Sequence, residues 1–257
     1  MNQRINKTNL KKLISLSKRY APVDLYYKVR EKLSAPFQEY SRTYQSYFPS
    51  VQEQDAQRRQ HFSYAPLISV VVPTYETEEL FLRQMIDSVI AQTYENWELC
   101  IADGSQSSRV ELVIKSFYPG ESRIKYKKLE KNAGISENTN QGIAMAAGDY
   151  IGLLDHDDLL APSALYEMAA RINDTGADML YSDEDKIFTD VNCHTNPHFK
   201  LDFNRELLLG NNYICHFLVL KQELLKQGGG LDGAYNGAQD FDLVLRLSEL
   251  AERIEHI

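Results

Sequence analysis

Short apolar runs alternate along the chain with segments in which apolar residues recur at helical spacing. Residues 68–72 form a largely β-branched run, which is typical of a strand buried on both faces of a parallel sheet. The next segment predicts a helix with one apolar face, made of Leu82, Met85, Ile86, Val89 and Ile90. The alternation continues with strands predicted at 97–102, 124–126, 150–154, 179–181 and 213–220, and helices at 110–117, 136–147, 163–172 and from 239 onward. It predicts an α/β fold whose mostly parallel central sheet is flanked by helices.

The remaining segments are polar and less regular. Residues 36–66 have no clean period and predict an arm or linker, residues 182–186 an acidic turn, and residues 187–212 a loop. No apolar run is long enough to cross a bilayer, and the N-terminus is too polar for a signal peptide. The chain has three cysteines, Cys100, Cys193 and Cys215. They are too few and too scattered for a disulfide framework or a CxxC metal site, so we expect reduced thiols.

Charge is distributed unevenly along the chain. Nine basic and two acidic side chains give residues 1–32 a net charge of +7, which leaves −15 for residues 33–257 because the whole chain carries −8. The acidic balance argues against a nucleic-acid partner. Residues 1–35 predict a basic, partly helical leader, which either docks on an anionic membrane surface or packs on the main domain as a solvated helix.

Three predicted strands end in polar residues. Thr74-Tyr75-Glu76 follows the first strand, Asp103 the second, and Asp155-His156-Asp157-Asp158 the run at 150–154. Ligands of such sheets bind beyond the carboxyl ends of the strands, so we expect these residues at one site. Three carboxylates within four positions repel one another, and such a cluster is typical of a cation site or of a solvent-facing turn. We favour a divalent metal that holds a diphosphate.

Five short motifs occur in order along the chain. They are residues 69–75 (SVVVPTY); residues 88–94 (SVIAQTY) leading to Asp103-Gly104-Ser105; Asn132-Ala133-Gly134 with Asn140 and Gly142; Gly148-Asp149-Tyr150 running into residues 154–158 (LDHDD); and residues 237–240 (GAQD). Together they resemble the family 2 glycosyltransferases over roughly residues 67–257. The resemblance implies the GT-A fold, a Rossmann-like and mostly parallel sheet flanked by helices. It also implies inverting transfer of a sugar from a nucleotide-sugar donor.

The resemblance assigns residues to the donor and to a divalent metal, Mn²⁺ or Mg²⁺. Asp157 would bind the metal, and Asp155 would contact the ribose and help to shape the metal site. Asp103 would accept an N–H of uracil or thymine, whereas in isolation it would be interpreted as an Asx-type turn residue. Asp158 is expected only to support the turn. The set expected at the nucleotide sugar is Pro73, Thr74, Tyr75, Glu76, Asp103, Asn132, Asn140, Asp155, Asp183 and Asp185.

Asp240 matches the family's catalytic base, which takes the proton of the acceptor hydroxyl on the face opposite the leaving group. In isolation it would be interpreted as a helix-capping carboxylate, because it precedes a run of apolar residues at helical spacing. Both roles are compatible, since a helix terminus holds the carboxylate rigidly. His156 and His216 lie beside these elements, but neither is expected to be a ligand.

The chain departs from the family pattern at two positions. Glu76 stands where many members have Asn, and Thr139 stands where an Arg often faces the diphosphate, which places more of the charge neutralisation on the metal. The family's further His, which completes the metal shell, would follow residue 257, so we expect a C-terminally truncated domain. The predicted organisation is a basic helical leader and linker at 1–66 and a GT-A domain at 67–257. That domain has a nucleotide-binding half (67–158) and an acceptor half (159–257).

These observations predict an inverting, metal-dependent hexosyl- or deoxyhexosyltransferase of cell-surface polysaccharide biosynthesis. We expect a UDP- or dTDP-type donor, a saccharide or lipid-linked acceptor, and a cytoplasmic enzyme whose residues 1–35 contact the inner face of the cell membrane. One alternative is a sugar nucleotidyltransferase, but that class usually needs a Gly-rich, basic phosphate loop, which residues 73–76 are not. The other alternative is a non-catalytic domain that binds nucleotide or glycan within a larger assembly.

Overall fold

The computed structural model describes residues 40–187, 191–192 and 194–257. The predicted leader at residues 1–35 and Cys193 lie outside these residues. Internal contacts divide the described chain into two units. The larger unit comprises Phe48–Glu184 and His198–Ile257, and the smaller contains residues 40–47 and the described part of Asp185–Pro197.

A seven-stranded sheet forms the centre of the larger unit. Its strands are β1 Ile68–Thr74, β2 Trp97–Asp103, β3 Ile124–Lys128, β4 Tyr150–Leu153, β5 Met179–Tyr181, β8 Leu218–Lys221 and β9 Ile254–His256. Their order in the sheet is β3-β2-β1-β4-β8-β5-β9. Two further strands, β6 Glu184–Ile187 and β7 His194–His198, form a separate two-stranded sheet.

Most neighbouring strands of the large sheet are parallel. β1 pairs in parallel with β2 and β4, β2 with β3, and β5 with β9. β8 is the exception, because it lies between β4 and β5 and runs antiparallel to both. The prediction of a mostly parallel sheet is therefore confirmed, with one reversed strand that it did not anticipate.

Helices connect the strands and cover the sheet. They are α1 Val51–Arg59, α2 Glu79–Ile90, α3 Arg109–Phe117, α4 Ile135–Ile143, α5 Ala164–Thr175, α6 Arg205–Gly210, α7 Gln222–Gly228 and α8 Gln239–Ser248, with 3₁₀ turns at Tyr44–Tyr47 and Gly233–Tyr235. The helices predicted from apolar periodicity are confirmed, although several of their ends differ by a few residues. Within the described residues, no helix combines the length and the apolar character that a membrane crossing requires.

The core has one apolar layer on each face of the sheet. Alternate residues of β1 enter different layers, since Val70 and Val72 belong to one cluster of buried residues and Val71 to the other. This explains why the strand has no polar face. Gly142 of α4 lies against the second layer, where an added Cβ would come within 2.6 Å of the Val71 side chain. The helix therefore packs closely on the sheet only because this position has no side chain.

Several local expectations need correction. The stretch predicted as an arm or linker contains α1, which a reciprocal hydrogen-bond pair between Ser50 and Glu53 caps. Ser136 does not cap α4, because the N-cap is Gly134 and the Ser136 hydroxyl donates to Asn236 Oδ1 at 2.6 Å. The second half of the predicted acidic turn is strand β6, and the predicted loop at 187–212 contains β7 and α6. Of the strand predicted at 213–220, only the last three residues are extended in β8.

The smaller unit contains a compact polar cluster. The Asp185 carboxylate accepts a hydrogen bond from the Tyr40 hydroxyl at 2.6 Å and lies 2.7 Å from His194 Nδ1. The His194 ring stacks on Tyr44, with ring centroids 4.1 Å apart. Asp185 is thus engaged by side chains of its own unit.

A buried carboxylate links three elements at the amino end of the large sheet. Glu98 of β2 accepts hydrogen bonds from the Ser69 hydroxyl at 2.7 Å and the Ala147 amide at 2.6 Å, and its second oxygen lies 2.5 Å from Lys125 Nζ. Burial raises the pKa of Glu98, but the bonds from Ala147, Lys125 and Ser69 outweigh burial and hold the pKa below its ordinary value. The ionised form therefore stabilises the native sheet.

We predict that Glu98→Gln lowers the free energy of unfolding at neutral pH by about 1–2 kcal/mol, because charge-assisted bonds are lost. The unfolded carboxyl has the ordinary pKa, so the contribution of Glu98 is lost as the pH falls through the lower pKa of the folded state. Urea unfolding should show the two proteins converging as the pH falls below the ordinary glutamate pKa of about 4.3. Glu111→Gln, in the exposed pair with Lys115, is the control and should cost no more than about 0.5 kcal/mol. Equal losses in both variants would contradict the assignment.

Candidate active site

The carboxyl ends of β1 and β2 form the nucleoside end of the predicted site. Thr74 and Asp103 are opposite each other in the parallel register. Asp103 is fully buried, and both of its oxygens are engaged by the protein. Oδ1 accepts from Thr74 Oγ1 at 3.2 Å and the Ser105 amide at 2.9 Å, while Oδ2 accepts from Tyr126 Oη at 2.9 Å and Lys128 Nζ at 3.0 Å.

These bonds decide the charge state of Asp103. Burial raises its pKa, but hydrogen bonds from Ser105, Lys128 and Tyr126 outweigh burial and hold the pKa below its ordinary value. Asp103 is therefore an ionised acceptor at neutral pH. An ionised acceptor at this sheet edge suits the base-reading role that the resemblance implies, but its present bonds are all internal.

Three further residues predicted to contact the nucleotide-sugar donor lie at the end of β1 or just after it. Pro73 is buried within the strand, and Tyr75 exposes its side chain. Glu76 instead holds the loop after β2: its carboxylate accepts from the amides of Gln106 at 2.7 Å and Ser107 at 3.0 Å, and from the Ser107 hydroxyl at 2.6 Å. These bonds from Ser107 and Gln106 lower the pKa of Glu76 to about 2. Glu76 thus shapes the loop that follows Asp103.

The two predicted asparagines also make internal bonds. Asn132 Oδ1 accepts from the Gly134 amide at 3.0 Å and from Asn138 Nδ2 at 2.8 Å, which shapes the entry to α4. Asn140 pairs with the backbone of Leu231 through both of its polar atoms, donating to its oxygen at 2.8 Å and accepting from its amide at 2.9 Å. Asn140 therefore attaches α4 to the segment that leads towards α8.

The reversed strand β8 brings a histidine to the end of β4. Leu153 of β4 is opposite Leu218 of β8, and in an antiparallel pair the next residues of one strand face the preceding residues of the other. Continued by two positions, this register places Asp155 beside His216. His216 Nε2 indeed lies 3.6 Å from Asp155 Oδ2.

Asp155, Asp158 and His216 together form a group that could hold a cation. In the part of the chain that the structure describes, one ligand atom from each of the three lies within 4.8 Å of the others. Burial raises the pKa of Asp158 above its ordinary value, His216 opposes this effect, and the carboxylates of Asp155 and Asp157 add to it. A divalent cation would relieve this repulsion, and carboxylate and imidazole are donors that Mn²⁺ accepts. The group therefore fits a divalent metal.

Asp157 has a different environment from its neighbours. Its side chain is 60% exposed, and its Oδ1 lies 3.9 Å from His156 Nδ1. The three-residue group and the predicted metal pair thus share Asp155. The group contains Asp158 and His216, whereas the predicted pair contains Asp157. The roles of Asp155 and Asp157 at a metal stay predictions.

Asp240 lies in the first turn of α8, one residue after its start at Gln239. The N-cap is Ala238, which makes no side-chain cap, so Asp240 is not the capping residue. Its Oδ2 accepts a hydrogen bond from Asn212 Nδ2 at 2.8 Å. Asn212 Oδ1 is buried and has no hydrogen-bond partner among the described residues. Within the described residues, the bond from Nδ2 to Asp240 is therefore the hydrogen bond that orients this side-chain amide.

The acidic residues that follow β5 contact both the segment that carries His216 and the edge strand β9. Asp183 Oδ1 accepts from the Lys200 amide at 2.7 Å and lies 2.8 Å from His256 Nε2. Glu184 Oε2 accepts from the His216 amide at 3.2 Å and from Lys200 Nζ at 3.2 Å. Asp183 therefore belongs to the same region as His216, whereas Asp185 lies in the smaller unit.

Sequence reasoning did not select Asp158, His216 or Asn212 as site residues. Asp158 had a sequence signal, since it extends the acidic run after β4. The position of His216 depends on the direction of β8, and the position of Asn212 depends on where α8 begins relative to a distant segment. Neither relation is visible in a local pattern.

The chain is similar to several known proteins. Its sequence matches the family described as "Glycosyl transferase family 2" over residues 69–229. The O-antigen biosynthesis protein RfbC of Myxococcus xanthus is 39% identical over 195 residues, 75% of this chain and 15% of that protein. The hyaluronan synthase of Pasteurella multocida is 29% identical over 195 residues, 75% of this chain and 20% of that protein. The chain therefore spans a fifth or less of the length of these relatives.

Solved structures share the fold. The crystal structure of S. aureus TarS 1-349 aligns with a TM-score of 0.62 at 22% identity, covering 74% of this chain and 57% of that chain. This likeness confirms the GT-A fold that the motifs implied. The family match begins in β1 and extends past α7, which is more than half of the chain, and the chain therefore belongs to glycosyl transferase family 2.

Proposed function

We propose that this domain transfers a sugar, of the hexose or deoxyhexose type, from a UDP- or dTDP-sugar donor with inversion at the anomeric carbon. The observation that carries the proposal is the group of Asp155, Asp158 and His216 at the carboxyl end of β4, in a family 2 domain. Family membership argues against the nucleotidyltransferase alternative. The structure of TarS, a neighbour in fold, has been solved with UDP and with UDP-GlcNAc, which supports a uridine nucleotide as the first donor to test.

The donor would be held at both ends of its nucleoside diphosphate. Thr74, Tyr75 and Asp103 are proposed to face the nucleoside, and Asp155 the ribose. A divalent metal held by Asp155 with Asp158 and His216, or with Asp157 as the family pattern implies, would neutralise the charge that develops on the leaving diphosphate.

Asp240 is proposed as the base. It takes the proton of the acceptor hydroxyl while that oxygen forms a bond to the anomeric carbon, and the nucleoside diphosphate leaves with the electron pair of the broken bond. Asn212 holds one oxygen of the base at 2.8 Å. No covalent sugar–enzyme intermediate is needed for inversion, so the site requires no nucleophilic side chain.

The acceptor and the setting are proposed from the relatives. Their names refer to O-antigen biosynthesis and hyaluronan synthesis. We propose a saccharide or lipid-linked acceptor in cell-surface polysaccharide biosynthesis, reached from the cytoplasmic side. Asp183 and Asp185 stay predicted contacts of the donor sugar.

We predict that Asp155→Ala weakens Mn²⁺-dependent binding of UDP at least about 10-fold, because both alternative ligand sets contain Asp155. Isothermal calorimetry with and without Mn²⁺ measures the effect, and Asp174→Ala on the exposed side of α5 is the control. Asp157→Ala and Asp158→Ala then separate the ligand sets. A loss confined to Asp158→Ala selects the group with His216, and a loss confined to Asp157→Ala selects the family pattern. Unchanged Mn²⁺-dependent binding of UDP by Asp155→Ala would contradict a role for Asp155 in holding the metal.

We predict that Asp240→Asn leaves UDP binding within about 2-fold of the wild type and lowers kcat by about 10²–10⁴-fold, because only the proton acceptor is removed. Asp242→Asn makes the same change of charge in the same helical turn, where Asp242 pairs with Arg246. It is the matched control and should retain most of the turnover. Near-normal turnover of Asp240→Asn would exclude Asp240 as the base. If the wild type transferred no sugar with any donor and acceptor tried, the alternative of a non-catalytic binding domain would be favoured.

We predict that removal of residues 1–35 weakens binding to vesicles that contain anionic lipid, because that segment has a net charge of +7 whereas the rest of the chain is acidic. Co-sedimentation of the full and shortened chains with such vesicles at low and high salt measures the difference. The full chain should lose binding as salt rises, since screening acts on exposed charges. Equal binding by both chains would leave the leader a packing role only.

A further inference from the structure

A lysine lies fully buried between the acidic residues after β5 and the segment that precedes β8. The side chain of Lys200 has no exposed surface. Its ammonium group donates to Glu184 Oε2 at 3.2 Å, to the Ile214 oxygen at 2.6 Å and to the His216 oxygen. An ammonium group has three protons, and all three have an acceptor here.

Burial of this charge is costly, and the structure offsets the cost only in part. Burial lowers the pKa of Lys200, while Glu184 opposes that effect. Burial likewise raises the pKa of Glu184, and the Lys200 ammonium lowers it below its ordinary value. Apolar residues of similar volume often stabilise a fold as well as a buried ion pair does. Stability alone therefore gives a weak account of Lys200, and its geometry offers a better one.

The contacts of Lys200 fix the backbone of one segment from two sides. Lys200 Nζ binds the backbone oxygens of Ile214 and His216, and Glu184, its ionic partner, accepts the His216 amide at 3.2 Å. The lysine is itself anchored, because its own amide donates to Asp183 Oδ1 at 2.7 Å. Both backbone polar groups of His216 are thus bound to this pair.

The fixed segment carries His216, and Asn212 lies two residues before that segment; both side chains contact carboxylates of the proposed site. His216 Nε2 lies 3.6 Å from Asp155 Oδ2, and Asn212 Nδ2 lies 2.8 Å from Asp240 Oδ2. The Asn212 oxygen has no partner among the described residues, so the orientation of this amide depends strongly on its backbone. A displacement of this backbone would move both the imidazole at the metal group and the donor to the base.

We propose that Lys200 is a positioning residue that, by fixing residues 214–216, orients His216 towards Asp155 and Asn212 towards Asp240. The proposal rests on the proposed transferase function for its catalytic consequence, but its structural consequence can be measured without activity. Lys200 contacts neither donor nor acceptor in this scheme. It acts through the backbone of one segment on the two ends of the reaction, the leaving diphosphate and the incoming hydroxyl.

The test replaces Lys200 by Met, which keeps the length of the side chain and removes the charge. Lys226→Met is the matched control, because Lys226 is an exposed lysine that donates to Gln222 within α7. Three quantities are compared in the full chain: amide hydrogen exchange of residues 212–217, the affinity for Mn²⁺ in the presence of UDP, and kcat together with the donor KM.

We expect Lys200→Met to increase hydrogen exchange in residues 212–217, since opening of that segment becomes easier. Affinity for Mn²⁺ should fall about 10–100-fold, as is usual when an outer-shell partner of a ligand is lost. The fall in kcat should exceed any rise in donor KM, and UDP affinity without metal should stay within about 2-fold, because the nucleoside end lies on β1 and β2. A residue that merely stabilises the fold would lower the melting temperature without this split.

Unchanged exchange of residues 212–217 in a folded Lys200→Met protein overturns the proposal, whatever the activity. The two claims can fail separately. If the wild type shows neither Mn²⁺-dependent UDP binding nor transfer, the proposed function is wrong. If exchange is nevertheless raised in Lys200→Met, the claim that Lys200 positions the segment still stands. Where Lys200→Met does not fold, Glu184→Gln replaces it, since Gln keeps the shape and removes the charge that pairs with Lys200. Wild-type exchange and wild-type Mn²⁺ affinity in Glu184→Gln would then overturn the proposal.

Discussion

The direction of strand β8 is the constraint on which the candidate site depends. β8 is antiparallel to both of its neighbours, so its preceding residues run alongside the residues that follow β4 and β5. The β4 register places His216 beside Asp155, and the β5 register, in which Tyr181 is opposite Leu218, places it beside Asp183. A parallel strand in the same place would carry residue 216 to the other end of the sheet. One reversal thus brings the His216 imidazole to the carboxylates that follow β4.

Much of the fold could be predicted because its signals are local. The β-branched run of β1 and the periodic apolar face of α2 each identify an element without reference to the rest of the chain. The same is true of Ser50 and Glu53, whose capping pair was present in the sequence of the stretch interpreted as an arm. β8 could be placed only approximately, and its direction and register could not be read, since both depend on distant partners. The omission of His216 follows from this.

The motifs identified the family but did not separate residues that face the donor from residues that build the site. Asn140 uses both of its polar atoms on the backbone of Leu231, and Glu76 uses its carboxylate on the loop after β2. Both were expected at the nucleotide. A polar residue near a ligand and a polar residue that shapes a loop have the same sequence signature, because both satisfy hydrogen bonds at a strand end. Only the identity of the partner atoms distinguishes them.

The saturation of Asp103 has a consequence for how this domain would choose a nucleotide. A carboxylate has about four lone-pair positions, and Thr74, Ser105, Tyr126 and Lys128 supply four donors. A base that presents an N–H to Asp103 must displace one of them, so the number of bonds to the carboxylate is conserved on binding. Such an exchange yields little affinity for the right base but a large penalty for a base that removes a donor and returns none. On the proposed function, Asp103 would then act as a discriminator between bases rather than as a source of affinity.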